Sequence, residues 1–225
     1  SRRQRQMCIR DSSSVKGSVI VKDFSKEKFK MNLKSNKVNV IKILPGGVVT
    51  AKDTAEIELD ANGEFVRNPG VDLVKVAVVE RHQGTGNVAC GFLKGYGIKE
   101  GAVALSVAHD SHNIIVVGVN DEEMEFAVNS LIEQEGGIVL VKEGKVIESM
   151  PMPIAGLMSD QSGEWVDQKL TDIHEKAYEE LGICGDVEPV MTLCFMSLAV
   201  IPEIKLTDMG LFDVTTFSFI PVEVE

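Results

Sequence analysis

The chain has 225 residues, 44% of them hydrophobic but only 5% aromatic, and it carries a formal net charge of −11. Such an acidic balance excludes a nucleic-acid backbone and an anionic membrane as partners, because both call for cationic surface. No apolar run reaches the roughly 18 residues that a membrane-spanning helix needs, and no apolar segment follows the basic N-terminus as it would in a secretory signal.

The opening dozen, "SRRQRQMCIRDS", holds four Arg and one Asp without helical or strand period. Residues 1–17 therefore read as a disordered or non-native leader, and 18–225 as one domain. Residues 18–24 ("SVIVKDF") and 38–44 ("VNVIKIL") predict short strands joined by a polar, basic linker or a solvated hairpin. "PGGVVT" (45–50) is a turn, and "TAEIELD" (54–60) alternates strictly, as a half-buried strand does. "VDLVKVAVVER" (71–81) is a strong strand that ends on Glu80 and Arg81, with His82 next. The following nineteen residues, "QGTGNVACGFLKGYGIKEG", hold six glycines but match neither phosphate-loop spacing, so they read as turns around a short strand, "NVACGFL".

"SVAHDSHNIIVVG" (106–118) then sets polar groups directly before an apolar strand. "DEEMEFAVNSLIEQEGG" predicts a helix from Asp121, with Met124, Ala127, Val128, Leu131 and Ile132 on one stripe and Gly136–Gly137 as its stop. "GIVLVKEGKVIESMP" predicts a hairpin that turns at Glu143–Gly144. "SMPMPIAGLMSD" (149–160) reads as an ordered loop packed on the core, or as a lid or subunit contact. A second helix is expected over 162–181, with His174 at its surface or boundary, and the apolar tail has the composition of two or three more strands. The expected fold class is α+β: mixed, mostly antiparallel sheets of about ten to twelve strands carrying two long helices, with a break near 150–162 that would allow two subdomains. Cys8, Cys90, Cys184 and Cys194 show no paired spacing and predict free, buried thiols.

His109 and His112, three apart, would point to opposite faces of a strand but to the same side of a turn. Only a turn would let His109, Asp110 and His112 act as metal ligands, with Glu80 or His82 completing the set. The alternative is that Asp110, Ser111 and Asn113 satisfy backbone groups at the strand entrance while the imidazoles bond locally. Glu80, Arg81 and His82 offer an acid, a cation and an imidazole, or simply a charged strand end at the surface. HExxH, GxSxG, a phosphate loop and HxE with PCxxC are all missing, and no residue is identified as catalytic.

The stretch "GYGIKEGAVALSVAHDSHNIIVVGVNDEEMEFAVNSLIEQEGGIVLVKEGKVIESMPMPIAGLMSD" strongly resembles the C-terminal domain of bacterial adenine deaminases, members of the amidohydrolase superfamily. "VVERHQGTGNVACGFLKGYG" fits the segment before it, "MTLCFMSLAVIPEIKLTDMGLFDVTTFSFIPVEVE" resembles the family's closing segment, and together the match spans roughly residues 18–225. The resemblance implies a partner barrel in the full enzyme that would hold a divalent metal, manganese or iron. That metal would activate the hydroxide that attacks the adenine carbon bearing the amino group. No barrel motif precedes residue 18, so this chain is expected to hold no cofactor of its own and to be inert alone.

On that reading His109, Asp110, His112 and Asn113, with Glu80, Arg81 and His82 nearby, face the barrel and complete the purine pocket or the interdomain contact. Two alternatives are a small stand-alone metal-dependent hydrolase using His109, Asp110, His112 and His82, and a homo-oligomeric interaction module. Homo-oligomerisation, a cytoplasmic location and a role in adenine catabolism or purine salvage accompany the resemblance as expectations.

Overall fold

The computed structural model describes residues 12–224. Its centre is an eight-stranded sheet in the order β10-β9-β7-β8-β5-β6-β1-β2. The strands are β1 (Lys37–Ile43), β2 (Thr50–Glu56), β5 (Leu73–Val79), β6 (Val88–Lys94), β7 (Ala102–Leu105), β8 (Ile114–Gly118), β9 (Gly137–Lys142) and β10 (Lys145–Pro151). Neighbours are antiparallel except β1 and β6, which run parallel. A short hairpin, β3 (Glu58–Leu59) with β4 (Phe65–Val66), and a three-stranded sheet, β11 (Ile204–Thr207), β12 (Gly210–Asp213) and β13 (Ser218–Phe219), complete thirteen strands among the described residues. Mixed, mostly antiparallel sheets with two long helices make the expected α+β class.

The central strands are apolar without alternation because both faces of the sheet are covered. Val74, Val76, Val78, Val103, Leu105, Ile115, Val117, Ile138 and Leu140 point to one face. Ala77, Val79, Ala102, Ala104, Ile114, Val116, Val139 and Val141 point to the other. The first face is roofed by α2 (Gly163–Glu179), through Ile173 and Ala177, and by the small sheet, whose Leu206 and Leu211 lie over Gly91. The apolar cluster on this face includes residues from both sides of 150–162.

The second face is roofed by α1 (Asp121–Glu133). Asn120 caps it by accepting from the Glu123 amide at 2.8 Å, and Met124, Ala127, Val128 and Leu131 are buried, as the stripe predicts. Small residues let this helix sit close: a Cβ on Gly118 would lie 2.6 Å from Met124 Cγ and 2.9 Å from Ala102 Cβ. Lys75, buried in β5, anchors the helix start through Asp121 Oδ1 at 2.8 Å.

Four sequence expectations need correction. Residues 18–24 are extended but form no strand, because both edges of β5 are already taken by β6 and β8. Ile20 reaches only the Arg81 carbonyl, at 2.8 Å beyond the strand end. The strand expected at 54–60 begins at Thr50 and breaks at Ile57, whose amide instead bonds Asn36 O at 2.8 Å. β7, "AVAL", was not expected because two of its four residues are alanine. Within the tail, residues 189–194 form α3 (Pro189–Cys194), with Pro189 at the helix start and the Glu188 side chain capping the Met191 amide.

Of the cysteines, Cys194 is buried and Cys90 half-buried, whereas Cys184 is exposed, contrary to expectation; Cys8 lies outside the described residues. The last six residues of the expected leader, 12–17, include a 3-10 turn, Ser12–Val15, while 1–11 lie outside the described residues. No helix of the described residues is long and apolar enough to cross a membrane.

Replacing Leu131, fully buried between α1 and the sheet, by Ala removes packing with little room for collapse. Denaturant unfolding should show a loss of about 2–5 kcal/mol with an unchanged m-value.

Candidate functional site

One end of the large sheet gathers Glu80, Arg81, His82, His109, Asp110, His112 and Asn113. The register pairs Val79 with Val88 and Ile114, and Leu105 with Ile115 and Ile138. The loops 80–87, 106–113 and 134–136 therefore emerge together, and 152–158 joins them because Pro151 pairs with Gly137.

His109 and His112 sit in a turn rather than a strand, and their rings lie 5.6 Å apart, edge to face. His112 has φ 51°, and its amide closes the turn on the Ala108 carbonyl. The His109 ring packs on Phe195 at 4.9 Å, and its amide donates to the Cys194 carbonyl at 2.8 Å, tying the turn to the end of α3. His82, from the neighbouring loop, places Nε2 2.8 Å from the Ser111 carbonyl. Asn113 is buried, and its amide side chain accepts from the Arg81 backbone N–H at 3.4 Å.

Glu80 and Arg81 do not form the charged surface end that their sequence allows; both are buried, Arg81 with only 1% exposed. Glu80 is committed to its own loop. Its Oε1 accepts from the amides of His82 and Gln83, and its Oε2 accepts from the Thr85 amide and hydroxyl, at 2.5–3.0 Å. Burial would raise its pKa, but the amides of Thr85, Gln83 and His82 outweigh that and hold it at about 2.

Arg81 has no carboxylate partner among the described residues. Its Nε donates to the His112 carbonyl, its Nη2 donates to the Ala155 carbonyl at 3.1 Å, and its Nη1 is buried with no partner. Burial draws its pKa down to about 10, against the pull of Glu80. His112 is likewise held below the usual imidazole range, by burial and then by His109 and Arg81, and its Nδ1 is buried without a partner.

Two further residues of this end, not expected from the sequence, are Ser106 and Gly156. Buried Ser106 donates to the Gly156 carbonyl at 2.6 Å and accepts from the Gly137 amide at 2.8 Å. The "PIAGL" composition did signal an irregular loop packed on the core, but not that Gly156 would lie against Arg81. His174 lies away from this end, with one ring nitrogen on the Leu170 carbonyl and the other on Glu188.

Metal binding does not fit this arrangement. Among the described residues no three His, Cys, Asp or Glu side chains are placed to hold an ion, which overturns the reading of His109, Asp110, His112 and His82 as a ligand set. The physical reason is local: His82 turns its Nε2 to the Ser111 carbonyl, His112 Nδ1 is buried, and Glu80 is fully engaged by its loop. What the end does offer is a rigid polar turn with two adjacent imidazoles.

Comparison with known proteins agrees with the sequence resemblance to the C-terminal domain of adenine deaminases. Residues 47–218 match the family described as the adenine deaminase C-terminal domain. Over 95% of its length the chain is 68% identical to adenine deaminase 2 of Desulfotalea psychrophila. Over 94% it is 49% identical to adenine deaminase of Ligilactobacillus salivarius and 44% identical to adenine deaminase 2 of Carboxydothermus hydrogenoformans. The chain spans only 37% of the length of each of these relatives.

The pKa of Glu80 yields a test of the loop. A carboxyl depressed from 4.5 to about 2 stabilises the fold at neutral pH by on the order of 3 kcal/mol. That contribution is complete above pH 4.5 or so and fades as the pH falls toward 2. Glu80→Gln should therefore unfold more easily than wild type at pH 7, and the gap in denaturant midpoint should close between pH 5 and about 2.

Proposed function

This chain belongs to the adenine deaminase C-terminal domain family, and from that premise we propose that it is the non-catalytic support of an adenine-deaminating enzyme. In this reading its His109–Asn113 end packs against an amidohydrolase-type barrel, where it closes the purine pocket or fixes the interdomain contact. The reaction this proposal assigns to the whole enzyme is adenine plus water to hypoxanthine plus ammonia, in keeping with the name adenine deaminase that the relatives carry.

The observation that carries the proposal is the path of the chain entering the domain. The Ala155 amide donates to the Val15 carbonyl at 3.1 Å, Lys16 pairs with Asp160 at 3.2 Å, and the Ile20 amide donates to the Arg81 carbonyl at 2.8 Å. Residues 15–20 thus run across the end that holds His82, His109 and His112. The chain spans only 37% of the relatives' length, and in this proposal the rest of the enzyme joins the domain through this segment. Covalent continuity favours this end, rather than the opposite one, for the adjoining catalytic domain.

The division of labour follows from the chemistry available. Hydrolytic loss of ammonia from a purine needs an activated water and a group that hands a proton to the departing nitrogen. A manganese or iron centre belongs, in this proposal, to the barrel, since the residues here do not fit an ion. What His109, His112 and Asn113 supply is a fixed polar wall that excludes bulk water. A cytoplasmic location and a place in adenine catabolism accompany the reading. Self-association is a separate expectation, for which exposed Phe217 and Phe219 are the motive and sedimentation at several concentrations the readout.

The double replacement of His109 and His112 by Ala, made in a full-length relative, should lower kcat/KM for adenine about tenfold or more while leaving bound metal and unfolding temperature close to wild type. Unchanged turnover in the folded, metal-loaded variant would remove these residues from the pocket.

A further inference from the structure

We propose that Arg81 is the positioning residue of the imidazole pair, setting the His109–Asn113 turn against the 152–158 loop so that one cation fixes the surface offered to the adjoining domain. The assignment of that surface rests on the functional reading above; the positioning itself does not.

Three segments meet on this one residue through four hydrogen bonds. Its guanidinium holds the carbonyl of His112 on one side and that of Ala155 on the other. Its backbone N–H goes to the Asn113 side chain at 3.4 Å, and its carbonyl takes the Ile20 amide at 2.8 Å. A fifth contact is steric: a Cβ on Gly156, whose φ is 70°, would stand 2.7 Å from Nη1 and press on the guanidinium.

The energetics argue that the cation is kept for geometry. A charge with 1% exposure, an unpartnered Nη1 and no carboxylate partner among the described residues is an expensive way to fill a core, and an apolar side chain of similar volume would fill it more stably. A guanidinium, however, is a flat fork of donors that can grip two carbonyls from different loops at fixed angles. Neither Met nor Lys reproduces that grip. The neighbouring carboxylate does not compete for it, because Glu80 is held by the amides of His82, Gln83 and Thr85. The His112 carbonyl is the nearest of these contacts to an imidazole, and the left-handed φ of 51° at that residue means that releasing Arg81 frees the turn to relax.

The test uses the 225-residue chain and the imidazole Cε1–Hε1 resonances, followed from pH 5 to 8. Arg81→Met should stay folded, displace the His109 and His112 resonances, and raise the His112 titration midpoint by about half a unit or more as the cation leaves and the turn loosens. Arg81→Lys keeps the charge without the fork, so it should restore part of the midpoint but not the resonance positions. Gly156→Ala, which pushes on Nη1 while leaving every charge in place, should displace the resonances too, and it decides the matter if Arg81→Met fails to fold. Folded variants with both imidazole resonances and the His112 midpoint at wild-type values would overturn the proposal. The same substitutions in a full-length relative separate the two claims: displaced resonances with unchanged kcat/KM would leave the positioning standing and remove the docking role.

Discussion

A sheet that is apolar on both faces must be covered on both, and this requirement organises the molecule. β5 is the clearest case: all seven of its residues are buried, and both of its edges are paired. With helices and a second sheet occupying the faces, polar groups can gather only where strands end. The end at Val79, Leu105, Ile114 and Gly137 is therefore where loops carrying Glu80, Arg81, His82, His109, His112 and Ser106 converge. The candidate site is a consequence of covering the core.

That origin also explains the mixture of roles found there. Glu80 and Ser106 spend their hydrogen bonds on the amides and carbonyls of loops that could not otherwise be buried. Arg81 does the same for two carbonyls, but its charge forms no ion pair among the described residues. The imidazoles are carried by this scaffold and are less consumed by it, since His109 engages a ring and His82 a single carbonyl. A scaffold that leaves imidazoles at the entry side of the chain suits a domain that works against another body.

Much of this was legible in the sequence, and the parts that were not have identifiable causes. The helix at 121–133 was readable because its acidic start at Asp121, the Met124–Ile132 stripe and the Gly136–Gly137 stop all agree. The turn geometry that brings His109 and His112 together was one of two geometries their spacing allowed. The burial of Arg81 was hidden, because a cation following a strand reads as surface, and the residues that make a place for it, His112, Ala155 and Gly156, are distant in sequence. β7 was hidden because Ala102 and Ala104 are chosen for the approach of α1 and not for strand propensity. Residues 189–194 were hidden because β-branched and apolar residues outweigh a start signal of only Glu188 and Pro189. The misses at Arg81 and β7 are tertiary contacts overriding a local preference.

The account stands or falls on where the deaminating machinery resides. The direct measurement is ammonia release from adenine by the purified 225-residue chain, supplied with manganese or iron, beside a full-length relative under the same conditions. The account predicts turnover by the relative and none above background by the chain. Enzymatic turnover by the chain, abolished by replacing its own His109 and His112, would contradict it.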